Sequence, residues 1–178
     1  YHQYGPPQVI EIAEVPTPLP KEDEVLIRVR AAAVNPLDWR FIKGDPRAMR
    51  IALGWSKPKD PRIGRDVAGV VEKVGAKVTQ FQTGQSVFGS CEGALAQYAC
   101  ARASKLAPNP PDVSFEQLAS IPIAGYTALQ ALRDKGRVKA GHRVLVIGAG
   151  GGVGTFAVQI AKYFGANVTG VCGTDKVD

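Results

Sequence analysis

Gly141-His142-Arg143-Val144-Leu145-Val146-Ile147-Gly148-Ala149-Gly150-Gly151-Gly152-Val153-Gly154-Thr155-Phe156-Ala157-Val158-Gln159-Ile160-Ala161-Lys162 is the stretch that decides how this chain folds. It opens on a short β-rich apolar run, Val144 to Ile147, with glycine on both sides, which reads as a buried parallel strand. A glycine cluster follows. Val153, Phe156, Ala157, Ile160, Ala161 and Phe164 then recur at offsets of three and four, the apolar stripe of an amphipathic helix. The spacing predicts strand, glycine turn and helix in succession.

Ala149, Gly151 and Gly154 form an A-x-G-x-x-G pattern. In a dinucleotide site the first small residue makes the tight turn, the second lets backbone approach a pyrophosphate, and the third lets the helix pack close to the strand. Unpaired N–H groups and the positive end of the helix dipole then face the phosphates. Gly148, Gly150 and Gly152 add freedom beyond the minimum pattern. The competing reading is a glycine-rich turn with no ligand. A second β-rich run, Asn167 to Cys172, favours the ligand, because it completes the unit that such a loop serves. The expected cofactor-binding residues are Ala149, Gly150, Gly151, Gly152, Val153 and Gly154, joined at the second strand's end by Gly173, Thr174 and Lys176. An acid at that strand end accepts the ribose hydroxyls and repels a 2′-phosphate. Gly173 stands there instead. The missing acid, the Thr174 hydroxyl and the Lys176 ammonium favour NADPH over NADH, while Asp175 points the other way and Lys176 also reads as a solvated charge at a helix start.

The wider composition agrees with a soluble globular chain. It is 178 residues long, 45% hydrophobic and 21% charged, as in globular domains. Thirteen prolines and twenty glycines point to many turns, and no apolar run approaches the length of a membrane span. Cys91, Cys100 and Cys172 are scattered and odd in number, so they suggest neither a disulfide framework nor a CxxC site, and a reducing, cytoplasmic compartment is expected. The net charge of +6 has no basic run behind it, which suits an anionic cofactor and disfavours nucleic acid.

Before the glycine loop the chain is β-rich. Val9, Ile10 and Ile12 precede Val15 in one strand-like segment, and Val25 to Val34 alternates, with Val25, Ile27, Val29 and Ala31 on one face. Pro16, Pro18 and Pro20 make a stiff connector between them. Leu37 to Lys43 is expected to be a short helix stopped by Gly44-Asp45-Pro46, and residues 45–62 a surface loop. Val67–Val74, Ser86–Phe88 and Leu95–Ala99 read as further strands of a barrel-like domain. Ser114-x-x-Gln117 is a capping box; Pro122 then interrupts before a helical pattern over Gly125–Leu132.

The glycine stretch resembles the signature of the quinone oxidoreductase branch of the medium-chain dehydrogenase/reductase superfamily: Gly141-His142, Leu145, a small pair, Gly151-Gly152-Val153-Gly154, then Gln159 and Lys162. Gly150 departs from the usual Ser or Ala. Val34-Asn35-Pro36-x-Asp38, the run from Gly64 to Val71, and Ala124-Gly125-Tyr126-Thr127-Ala128 extend the resemblance over essentially the whole chain, with Gly84-Gln85-Ser86-Val87 departing from the family's usual Gly-Asp. The resemblance implies an α/β fold (α+β overall): a GroES-like β-rich catalytic domain over residues 1–118, followed by an incomplete Rossmann dinucleotide-binding domain over 119–178. It implies Asn35 and Thr127 beside the nicotinamide as the catalytic residues. Tyr126 and Trp39 read as pocket or core aromatics. Where zinc-dependent relatives place Cys, His-Glu and Cys, this chain has Asn35, Arg65-Asp66 and Ser120, so no zinc is expected. Arg65-Asp66 reads either as an internal ion pair in the metal's place or as exposed neighbours.

The implied activity is hydride transfer from NADPH to a quinone or a conjugated or simple carbonyl, by a homodimer when complete. An alkenal or enoyl-thioester reductase, or a non-catalytic NADPH-binding member, is the alternative. The start at Tyr1 and the single mononucleotide half lead us to expect a piece of a longer protein, inactive by itself.

Overall fold

The computed structural model of the chain describes residues 1–176. It divides into two compact units, Tyr1–Pro122 and Ile123–Asp178.

The first unit is built on one long strand, β1 (Glu24–Ala33), whose Val25 and Ile27 are fully buried. β1 pairs antiparallel with β2 (Asp66–Val74) on one side and β4 (Tyr98–Arg102) on the other. β3 (Ser86–Ser90) pairs with β2, and β5 (Leu106–Pro108) with β3, giving the order β4-β1-β2-β3-β5. The two outer strands are joined by a single short turn, Ala103–Lys105. In a flat sheet they would stand four strand spacings apart, roughly 19 Å. The four residue steps from Arg102 to Leu106 reach only about 14 Å at full extension. The sheet therefore coils, and Val25, Ile27, Val67, Val71 and Val87 fill its inside.

Ala31 does not share the face of Val25, Ile27 and Val29. The register shifts between Val29 and Ala31, and this bulge moves Ala32 onto the inner face, while Ala31 packs outside with Ala68 and Leu118. That outer cluster is covered by α3 (Phe115–Ala119), whose capping box forms: Gln117 N–H reaches Ser114 Oγ at 3.3 Å and Ser114 N–H reaches Gln117 Oε1 at 3.0 Å.

Other expectations need correction. Residues 10–20 form no strand; Ile12, Val15 and Leu19 stand largely exposed, and Pro16, Pro18 and Pro20 offer no N–H to a ladder. The fourth strand starts at Tyr98, not Leu95, because Leu95 N–H is already taken by the Ile63 carbonyl at 3.0 Å, while Tyr98 to Arg102 lie opposite Arg28 to Glu24. The 45–62 loop holds a short helix, α2 (Arg50–Leu53), after the expected α1 (Pro36–Lys43) and its left-handed Gly44 cap.

The second unit begins with α4 (Pro122–Leu129), which runs on as a wider π-type turn over Gln130–Lys135. Pro122 opens the helix, where its missing N–H costs nothing, and does not interrupt it. β6 (Arg143–Ile147), α5 (Gly152–Tyr163) and β7 (Asn167–Val171) follow as a βαβ unit with β6 and β7 parallel. Ala161 on the inward stripe of α5 is fully buried.

Candidate functional site

Between β6 and α5 the backbone makes a closed loop. Gly148 takes the positive φ of 82°, one residue before Ala149, where the turn was expected. The N–H groups of Gly148 and Ala149 both donate to the Val171 carbonyl, at 2.8 and 2.9 Å, which ties the loop to the end of β7. Gly151 N–H returns to the Gly148 carbonyl at 3.0 Å. Gly154 then sits so close that any Cβ would strike the Gly148 carbonyl oxygen, so only glycine fits. In helix geometry the first donors, here on Gly152, Val153 and Gly154, lack acceptors within the helix. No side chain caps them, and a Cβ on Gly152 would meet nothing within 4 Å. Open donors at the positive end of a twelve-residue helix, with free space above them, fit a pyrophosphate.

The segment after β7 folds against this loop. Residues Thr174–Lys176 form a tight turn, with Lys176 N–H on the Gly173 carbonyl at 3.0 Å. The Lys176 methylenes lie across Gly150: a Cβ there would stand 2.9 Å from Lys176 Cδ. The structure thus brings Ala149 to Gly154 and Lys176 together at one end of the βαβ unit, with Gly173 and Thr174 in the connecting turn.

Asn35 belongs to the first unit. Its Nδ2 donates to Asp66 Oδ2 at 2.9 Å, and its backbone N–H donates to Asp38 Oδ2 at 2.7 Å. Asp38 and Asp66 are both buried, 3% and 1% exposed, so two carboxylates hold the residue from both ends. Asp66 comes within reach because it pairs with Ala33 across the β1–β2 ladder, two residues before Asn35. Asp66 was expected at the site only as a partner of Arg65 in the metal's place, and Asp38 only as part of the Val34–Asp38 motif. The Asn35-x-x-Asp38 spacing carries the helix-start signal for one; the ladder register that places the other is invisible in sequence.

Arg65 and Asp66 are not exposed neighbours, since Asp66 is buried. Arg65 ion-pairs with Glu92 at 3.1 Å and lies 4.9 Å over the Phe41 ring. Arg65, Phe41 and Glu92 border a cavity of about 150 Å³ lined also by Tyr1, Asp38, Asp60 and Arg62. Its charges are largely paired: a side-chain hydrogen bond from Arg62 holds the Asp60 carboxyl below its usual range. Thr127 lies in the second unit, on the exposed side of α4, and its hydroxyl donates to the Ile123 carbonyl at 2.6 Å within its own helix. Tyr126 and Trp39 are exposed as well.

The residues at the zinc positions do not make a ligand set. Asn35 spends its amide on Asp66, Arg65 is a permanent cation, and Ser120 donates to the Gln117 carbonyl at 2.6 Å. Among the described residues no cluster of three His, Cys, Asp or Glu could hold a metal ion, and no helix is long and apolar enough to cross a membrane.

Residues 21–111 match the alcohol dehydrogenase GroES-like domain family. The chain belongs to the medium-chain dehydrogenase/reductase superfamily, on its quinone oxidoreductase branch. It is 39% identical over 183 residues to the chloroplastic quinone-oxidoreductase homolog of Spinacia oleracea, covering 98% of this chain and 54% of that protein. The Escherichia coli quinone oxidoreductase complexed with NADPH superposes with a TM-score of 0.83 at 30% identity, over 99% of this chain and 52% of that one. CurK enoyl reductase superposes with a TM-score of 0.90 at 28% identity, over 98% and 53%. The chain thus spans about half the length of the relatives it matches. The fold is that of the family: a GroES-like β-rich domain followed by Rossmann-type βαβ structure.

Proposed function

We propose that this chain carries the substrate domain and the adenosine half of the cofactor domain of an NADPH-dependent, zinc-independent oxidoreductase acting on a quinone or a conjugated or simple carbonyl. The observation that carries this reading is the loop between β6 and α5, where Gly154 closes on Gly148 and leaves the first-turn donors of α5 open. The neighbour complexed with NADPH supports the cofactor, and the relatives named quinone oxidoreductase support the substrate class.

The nicotinamide, when bound, supplies the hydride. The chain's own residues then bind and orient. Gly152, Val153 and Gly154 N–H groups hold the pyrophosphate, and Thr174 and Lys176 face the adenosine ribose. Asp66 orients the Asn35 amide through Nδ2 while Asp38 holds the Asn35 backbone N–H, so the second Nδ2 hydrogen is the group that donates to an acceptor carbonyl. Preorganised polar groups of this kind stabilise charge without rearranging during the reaction. The Thr127 hydroxyl can accept as it stands, and donates to a ligand only by turning out of the Ile123 contact. No Lewis acid enters, because the zinc positions hold an amide, a guanidinium and a helix-bonded hydroxyl.

The enoyl-thioester alternative draws on the superposition with CurK enoyl reductase. We place the protein in the cytoplasm as a homodimer; the chloroplastic name belongs to a relative. Calorimetric titration with NADPH tests the cofactor site, and absence of binding by NADPH and by its adenosine half would sink it. NADPH oxidation by a protein that carries both halves of the cofactor domain, with a panel of quinones, enals and enoyl thioesters, then separates the readings: a quinone-first profile supports this one, a thioester-first profile the alternative, and binding with no turnover a non-catalytic role.

A further inference from the structure

The end of β7 carries no acid at residue 173, yet a carboxylate stands there. A Cβ built on Gly173 would lie 2.5 Å from Asp175 Oδ1. The tight turn makes this possible. Lys176 N–H closes onto the Gly173 carbonyl at 3.0 Å, and Cys172 Sγ approaches the Lys176 carbonyl at 3.5 Å, so the side chain of residue 175 is folded back over the strand end. We infer that Asp175 sets the discrimination between phosphorylated and unphosphorylated ribose, its carboxylate taking the place of the strand-end acid two residues early in space. The inference rests on the dinucleotide reading of the glycine loop and goes beyond it.

The physical consequence follows from the two charges that this one turn presents. On the Gly173 side an anion can accept both hydroxyls of an unphosphorylated ribose and repels a 2′-phosphate. On the Gly150 side Lys176 lays its methylenes over the loop and brings a cation to the same end of the sheet. Lys176 tips the site toward NADPH; Asp175 keeps the margin small. Gly173 alone would offer an unphosphorylated ribose no acceptor for its hydroxyls. The folded-back carboxylate narrows the preference for NADPH, and residue 175 becomes the position that tunes the ratio. Substituting Gly173 with a larger residue is the poorer probe, because any side chain there must first displace Asp175.

The test uses ligands that need only the adenosine half of the site: adenosine 2′,5′-bisphosphate and 5′-AMP, titrated calorimetrically into the chain, Asp175→Asn, Asp175→Ser and Lys176→Gln. The readout is the ratio of the two dissociation constants. Both Asp175 variants are expected to shift that ratio toward the 2′-phosphate by about tenfold at low salt, shrinking as ionic strength rises. Lys176→Gln should shift it the opposite way. Asp175→Ser guards against a new hydrogen bond from the Asn amide. If the turn merely needs an acid for its shape, both affinities fall together and the ratio stays put, which overturns the inference, as does a ratio moving toward 5′-AMP. Failure of the underlying site looks different: neither nucleotide binds the unmodified chain, and the inference falls with it.

Discussion

Asn35 and Asp66 are thirty-one positions apart in sequence and 2.9 Å apart in space. Because Asp66 is 1% exposed, removing Asn35 leaves a buried carboxylate without that hydrogen bond, and removing Asp66 leaves the half-buried Asn35 amide without its acceptor. Each single change, Asn35→Ala or Asp66→Ala, should lower unfolding free energy by about 1–3 kcal/mol. The double variant should lose less than the sum, with a coupling of about 1–2 kcal/mol read from urea unfolding, whereas strict additivity would show that the pair does not act as a pair. The resemblance pointed to Asn35 and to Arg65-Asp66; nothing local pointed to Asp66 as the partner of Asn35, since only the register of β1 against β2 brings them together. Cys91 gives a second test at this scale. Burial pushes its thiol up to about 12, with Arg62 and Arg65 only partly opposing. A thiol protonated in the fold but ionised in the open chain is a stability that is present below the ordinary thiol range and lost as pH rises. Unfolding free energy should therefore fall from about pH 9 toward pH 12, by up to about 1.4 kcal/mol per unit from this group. Cys91→Ala should flatten that slope, and an unchanged alkaline limb would remove Cys91 as its source.

Elements whose logic is local were legible. β6, its glycines and α5 lie consecutively, so apolar spacing and glycine positions revealed strand, loop and helix together. The capping box at Ser114 was legible for the same reason. What escaped is non-local: the bulge that sends Ala31 outward, the Ile63 contact that delays β4, and the partner that residues 10–20 lack. Within the glycine loop, two positions separate folding from binding. Gly154→Val must push against the Gly148 carbonyl and should lower the melting temperature as well as abolish nucleotide binding. Gly152→Ala meets nothing within 4 Å and replaces a poor helix former by a good one. It should leave stability unchanged or raise it by about 0.5–1 kcal/mol. Its methyl nevertheless enters the space above the open donors, so nucleotide affinity should fall about tenfold or more in calorimetry. Wild-type affinity in a folded Gly152→Ala protein would move the phosphate site elsewhere.

The two units differ in how much of their apolar surface is covered. The first closes five strands around Val25, Ile27, Val67 and Val87, all at 0% exposure. In the second, a two-stranded sheet leaves Leu145 at 62%, Ile147 at 79% and Val171 at 47% exposure, and Ala161 is fully buried in its α5. Two strands with so little buried area are marginal by themselves, and an exposed apolar strand invites association. Stability should therefore be uneven along the chain. In hydrogen exchange followed by mass spectrometry, the amides of β6 and β7 should exchange well ahead of those in β1 and β2, and a hydrophobic dye should bind the native chain. A ligand that binds only the closed loop stabilises the state in which that loop is formed. NADPH should then slow exchange in β6, β7 and the first turn of α5 and leave β1–β5 unchanged. Equal protection in both sheets without nucleotide would refute the uneven-core argument. Protection gained in β1 or β2 and not in β6 would place the nucleotide away from the glycine loop.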